Sequence, residues 1–133
     1  ARPYPCGNQH LTEWEQQVAR YKVLVCGGRD YSDRSSLFAA LDLIKAATSQ
    51  MTVIQGGASG ADALAREWCK REPSIHMVNE PADWRAHGRA AGPIRNQRML
   101  EHKPDIVIAF AGGRGTADMV RRAKAAGVPV VEK

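Results

Sequence analysis

The sequence runs to 133 residues, 44% hydrophobic and 25% charged, the proportions of a single globular domain and not of a disordered chain. Nineteen Lys and Arg against fourteen Asp and Glu leave a net charge of +5, which suits an anionic partner but is scattered, with no basic block. No apolar run approaches the ~20 residues that cross a bilayer, no secretory leader is read in the sequence as it stands, and Cys6, Cys26 and Cys69 suggest neither a disulfide framework nor a CxxC site. The expectation is a cytoplasmic protein with no membrane partner and no metal or cofactor.

In chain order, the first twenty residues read as an arm and residues 21–133 as one domain. Pro3, Pro5, Gly7 and Asn8 punctuate the start of the arm. Thr12 and Glu15 then fit a capping box, and Trp14, Val18 and Tyr21 recur at near-helical spacing, which predicts a short helix packed on the main body. Cys6 and His10 offer two metal ligands, where zinc takes three or four from the protein.

From Tyr21 a pattern repeats. An apolar run over 22–26 meets the turn Gly27-Gly28-Arg29-Asp30, and a helix is predicted over 33–48 with Leu37, Leu41 and Ile44 on one face. A second run over 51–54 meets Gln55-Gly56-Gly57 and a helix over 60–71. A third run covers 74–78. A loop holding Pro81, Asp83, Trp84 and His87 leads to a helix over 93–101, with Pro93 near its first position. The strand over 105–110 runs into Gly112-Gly113-Arg114-Gly115-Thr116, a helix to 126, Gly127 and a last strand over 128–131. Near-continuously apolar strands imply burial on both faces, and their alternation with helices implies right-handed parallel crossovers. The expected fold class is therefore α/β: a doubly wound, mostly parallel sheet of about five strands with helices on both faces. Such sheets bind ligands beyond the carboxyl ends of their strands, where the winding reverses.

Three glycine pairs, Gly27-Gly28, Gly56-Gly57 and Gly112-Gly113, follow strands and so gather along that edge. Two of the turns lead straight into helices, whose first N–H groups and positive dipole end favour phosphate. Ser59 and Thr116 add hydroxyls, and Arg114 a charge. Each pair alone reads as a tight βα turn; three converging point to an anion or nucleotide site. None is GxGxxG, and none is a P-loop, which argues against ordinary dinucleotide binding and ATP hydrolysis.

Polar residues cluster beside these turns. Arg29 and Asp30 follow the first. Asp62 and Asp118 fall in the first turns of helices, where a carboxylate complements the dipole or serves catalysis. Trp84 stacks on a base or packs its own loop. Arg95 and Asn96, projecting from a helix start, would clamp a phosphate and bond a sugar hydroxyl. Cys26, within a strand, reads as a core residue.

These strings resemble a known group. Val23-Leu24-Val25-Cys26-Gly27-Gly28-Arg29-Asp30-Tyr31, Gly56-Gly57-Ala58-Ser59-Gly60-Ala61-Asp62, Ala82-Asp83-Trp84, Gly92-Pro93-Ile94-Arg95-Asn96-Gln97-Arg98-Met99-Leu100 and Ala109-Phe110-Ala111-Gly112-Gly113-Arg114-Gly115-Thr116 resemble the SLOG superfamily, which takes in the SMF/DprA and LOG proteins. Within it the match is to the small YspA-type, YpsA-related family. The resemblance spans residues 21–133. It implies a Rossmann-like fold, a nucleotide or nucleotide-derived ligand, and a homodimer paired through helices beside the site. LOG enzymes cleave the N-glycosidic bond of nucleoside monophosphates, using an arginine that Arg95 resembles and a proline-glycine-glycine-x-glycine-threonine-x-x-glutamate motif. Here Ala111 stands for the proline and Met119 for the glutamate, so hydrolysis would rest on Arg95 with Asp118 or Asp62. DprA-type relatives bind single-stranded DNA through a glycine-x-arginine-glycine-x-aspartate stretch. Ser59 replaces that arginine, and few aromatics are on hand for base stacking.

The resulting expectation is a protein that senses or sequesters a phosphorylated nucleoside or related small molecule. Gly27, Gly28, Gly56, Gly57, Gly112, Gly113, Gly115 and Thr116 would supply donors. Arg95 would bind phosphate or ribose, and Asn96, Asp30 and Asp62 would orient sugar or base. Glycosidic hydrolysis is the first alternative, and single-stranded nucleic-acid binding the second.

Overall fold

The computed structural model describes residues 20–133; the helix expected around Trp14, and the pair Cys6 and His10, lie outside the described residues. Five strands, β1 (Tyr21–Cys26), β2 (Met51–Gln55), β3 (His76–Asn79), β4 (Ile106–Ala109) and β5 (Val130–Glu132), form one sheet in the order β3-β2-β1-β4-β5. Every pairing in it is parallel. The helices are α1 (Arg34–Ala47), α2 (Ala61–Lys70), the single turn α3 (Trp84–His87), α4 (Ala91–Glu101) and α5 (Arg114–Ala125), with a 3-10 turn (Gly88–Ala90) between α3 and α4. The chain winds outward from β1 through β2 to β3, then returns to lay β4 on the other side of β1. Winding therefore reverses between β1 and β4, and the crevice of such a sheet opens beyond their carboxyl ends.

Side-chain alternation on β1 shows how both faces are filled. Val23 and Val25 pack with Leu37 and Leu41 of α1 and with Ala61, Ala65 and Trp68 of α2. Leu24 and Cys26 point the other way, to Met99 and Leu100 of α4 and Met119 and Ala123 of α5. Burying one large aliphatic side chain contributes ~1.5–3 kcal/mol, so the central strands carry much of the stability. The indole Nε1 of buried Trp68 donates to Asp42 Oδ1 at 2.9 Å, which satisfies the one polar atom that burial would otherwise strand.

Helix ends follow the expected chemistry. Asp33 caps α1, its Oδ1 accepting from Ser36 N at 3.1 Å. At the end of α5, Gly127 has φ of +76°, its N–H donates to Lys124 O at 3.1 Å, and Val128 N–H donates to Ala123 O at 2.9 Å. That is a Schellman closure, which needs the left-handed residue that glycine supplies. It also uses Val128 to end the helix, so the last strand begins at Val130 and not at 128. Likewise Ile75 N–H closes a turn onto Glu72 O at 3.0 Å, and the third strand begins at His76.

Two expectations change. Burial on both faces holds for β1, β2 and β4, but β3 and β5 are edge strands and mostly exposed. The helix expected from Pro93 starts two residues earlier, at Ala91. Pro93 remains in the first turn, where its missing N–H costs nothing, and Arg95 falls in the second turn. None of the described helices is long and apolar enough to cross a membrane.

Candidate functional site

The loops after β1, β2 and β4 meet, and their glycines are the reason they can. Gly28 N–H donates to Ala111 O at 2.8 Å, while Gly28 O accepts from Ala61 N–H at 3.1 Å and from Tyr31 N–H at 3.2 Å. Ser59 Oγ donates to Arg29 O at 3.0 Å, a tie across 30 positions of sequence. Gly60 has φ of +71°, and a Cβ there would run into the Gly28 carbonyl oxygen. A Cβ at Gly112 would come within 2.6 Å of Gly28 N. Close loop-to-loop contact thus accounts for Gly28, Gly60 and Gly112 without any ligand. Gly113 and Gly115 differ: a Cβ on either would meet nothing within 4 Å.

Beyond these loops lies a cavity of about 710 Å³, within the range of small-molecule sites. Its walls come from the β1 loop (Gly27, Gly28, Arg29), the entry of α2 (Ala58, Asp62), α3 (Trp84), α4 (Arg95, Asn96, Met99) and the start of α5 (Gly113 to Asp118). Of the residues singled out from sequence, the cavity gathers Gly27, Gly28, Arg29, Asp62, Trp84, Arg95, Asn96, Gly113, Arg114, Gly115, Thr116 and Asp118. Asp30, Gly56, Gly57, Ser59 and Gly112 are not among its lining residues. The Gly56 carbonyl accepts from Arg95 Nη1 at 2.6 Å, and Gly57 N–H donates to Gln55 Oε1 at 2.7 Å.

Charge on the wall is unbalanced. Arg29, Arg89, Arg95, Arg114 and Arg121 line the cavity against Asp62 and Asp118. The start of α5 opens into it with no side-chain cap: Gly113 is the N-cap residue and bonds no helix N–H through a side chain. Unpaired N–H groups at a helix start, the positive dipole end and nearby guanidinium groups together favour an anion.

The two carboxylates have different surroundings. Asp118 is nearly buried. Its Oδ2 accepts from Asn96 Nδ2 at 2.9 Å and from Arg122 Nε at 2.8 Å, and its Oδ1 accepts from Arg121. Burial pushes its pKa up, but the Asn96 and Arg122 hydrogen bonds and the two arginine charges outweigh this and hold it below the usual carboxylate value. Asp62 sits 7% exposed in the first turn of α2. Burial raises its pKa, against the opposing pull of the Ala58 N–H and of Arg95 and Arg66. Burial also lowers the Arg95 guanidinium from its ordinary value, with Asp62 opposing. Cys26, at the foot of the cavity, is pushed up to about 12 by burial and then by the Asp62 charge, so it is an inert thiol.

Arg95 does two jobs in the geometry. Its Nη1 holds the Gly56 carbonyl and its Nε donates to Asn96 Oδ1 at 3.0 Å, while the side chain also faces the cavity. Arg29 lies over the Trp84 ring, Cζ to centroid 5.0 Å, and Trp84 is 48% exposed. The indole therefore forms a wall between the β1 loop and α4 with much of its surface open to solvent. Met119, at the position of the LOG glutamate, is fully buried in the core between α5 and the sheet.

Arg89 and Arg121 are wall residues that reading the sequence did not single out. Arg114, Asp118 and Arg121 recur at i, i+4 and i+7 on α5, a polar stripe that helical spacing alone exposes. Gln55 was also missed. It is wholly buried, with Oε1 accepting from Gly57 N–H and from Arg66 Nη1 at 2.8 Å and Nε2 donating to Asn79 Oδ1 at 2.8 Å. A glutamine ending an apolar strand was its signal.

Comparison with known proteins follows the same lines. The model of the YspA, cpYpsA-related SLOG family matches residues 21–87. Among curated proteins, the Gene 61 protein of Mycobacterium phage D29 is 37% identical over 117 residues, covering 83% of this chain and 94% of that protein.

Proposed function

The chain belongs to the YspA, cpYpsA-related SLOG family, and on that footing we propose that its cavity binds a nucleotide or nucleotide-derived ligand, as a sensor or sequestering protein. The observation that carries this reading is the uncapped start of α5, opening into a cavity lined by five arginines. The phosphate sits at Gly113, Gly115 and Thr116 with Arg114 beside it, and Arg95 faces it from α4. Trp84 offers a ring face to a base, and Asp62 an acceptor to a sugar hydroxyl.

Binding without cleavage is favoured by the carboxylates. Glycosidic hydrolysis builds positive charge on the ribose and needs an available anion or an activated water. Asp118 already accepts from three side chains, and Met119 lies in the core. The DNA-binding alternative has less behind it, since Ser59 is committed to the Arg29 carbonyl.

Two assays on one ligand panel test the proposal. A melting-temperature screen against nucleoside mono-, di- and triphosphates should find at least one stabilising ligand; at ~100 times Kd it adds about 2.7 kcal/mol. Chromatography of the same mixtures should show no free base. Release of base would make the protein a hydrolase, and a flat screen with salt-sensitive binding of single-stranded DNA would replace the proposal with the nucleic-acid reading.

A further inference from the structure

At the end of the sheet away from the candidate site lies a second hollow of about 710 Å³, lined by Tyr21, Leu43, Ile44, Ala47, Thr48 and Gln50, with Ser49. It matches the first in volume and differs in chemistry, for among the described residues no charged one lines it. Leu43 of α1 is 72% exposed. A lone exposed leucine is ordinary, but this one borders a groove with Ile44 and Tyr21 beside it. Gln50 Oε1 is buried with no hydrogen-bond partner among the described residues, a cost that a donor would remove.

We propose that residues 11–19 of this chain dock in this groove, with Trp14 and Val18 as the apolar anchors. Three observations converge on that occupant. The first is where the segment attaches. β1 begins at Tyr21, which lines the groove and whose N–H donates to Gln50 O at 2.9 Å. Val18 is three residues from Tyr21 and therefore within ~10 Å of it. The second is pattern. Leu11, Trp14 and Val18 recur at i, i+3 and i+7, a spacing that would put them on one face of a helix with Glu13, Gln16 and Gln17 opposite. An apolar stripe of that width suits an uncharged groove, and the Trp14 indole N–H is a donor of the kind Gln50 Oε1 lacks. The third is effective concentration: a segment tethered this closely competes at roughly millimolar strength with any free partner.

Docking here joins β1, α1 and the entry of β2 into one covered end, on the far side of the sheet from the ligand cavity. It is independent of what that cavity binds. The segment then adds stability and leaves ligand affinity unchanged.

A double-mutant cycle on the full chain, paired with hydrogen exchange, tests this. Trp14→Ala and Leu43→Asp should each lower the melting temperature by about 3 °C or more, and the double variant should fall no further than the worse single. Amides of residues 12–19 should be protected in the wild type and exchange freely in Leu43→Asp. Leu43→Ser gives the same readout should the charged variant fail to fold. Additive losses, or an unchanged melting temperature with unchanged protection, would overturn the proposal. So would a dimer that Leu43→Asp dissolves while residues 12–19 remain unprotected, since the occupant would then be a second copy of the chain.

Discussion

Asp118 and Asp62 read alike in the sequence, as acids in the first turn of a helix, but α5 starts at Arg114, which leaves Asp118 in its second turn while Asp62 lies in the first turn of α2, and the fold treats the two oppositely. For Asp118 the folded-state pKa is below the ordinary one. Its contribution to stability is therefore present above the usual carboxylate range of ~4 and lost as pH falls through the folded value. Replacing it with Asn should cost about 1–2 kcal/mol at neutral pH, with the gap closing in acid, as denaturant melts at several pH values would show. For Asp62 the folded value is raised, so its ionisation costs stability, and the cost is fully present above the folded value. Asp62→Asn should accordingly stabilise the free protein at neutral pH, and that gain should vanish as pH drops to the ordinary carboxylate range. The same variant should bind the proposed ligand more weakly. Arg95→Ala should weaken ligand by tenfold or more in titration calorimetry and cost only about 1–2 kcal/mol of stability, from the Gly56 carbonyl it leaves unpaired. An unfolded variant would make Arg95 a structural residue.

At the scale of elements, the glycine turns divide into two kinds that look alike as sequence. Gly60 is required by the fold, since its φ is positive and a side chain would strike the Gly28 carbonyl. Gly60→Ala should cost at least about 2 kcal/mol. Gly113 has φ of −102° and open space in front of it. Gly113→Ala should change stability by no more than about 0.5 kcal/mol, yet weaken a phosphate-bearing ligand by crowding the start of α5. A matched pair of melting curves and titrations separates the two. The elements themselves were legible because apolar runs and helical spacing report burial directly: β1, β2, β4 and the core face of α1 with Leu37, Leu41 and Ile44 follow from that pattern. The start of α4 was not. Pro93 marks a first turn without saying which of its positions it occupies, and Ala91 and Gly92 carry no capping signal.

For the molecule as a whole, the sequence made the convergence of three loops legible, because parallel strands must deliver their carboxyl ends to one edge. What it left hidden was the division of labour there. Gly56, Gly57, Ser59 and Gly112 serve the contacts that hold the loops in place without lining the cavity, and Arg89 and Arg121 reach the wall from segments where arginine reads as a solvated charge. Such roles depend on distances between segments remote in sequence, which no local pattern encodes. The central claim is that this edge forms one electropositive cradle recognising phosphate, and the phosphate's own contribution to binding tests it most directly. Titration calorimetry would compare each nucleoside monophosphate with its parent nucleoside on the same wild-type protein. The account predicts binding at least tenfold tighter when the phosphate is present, with the advantage shrinking as salt rises. Equal affinity for both members of every pair, or no binding of any phosphorylated member, would contradict it.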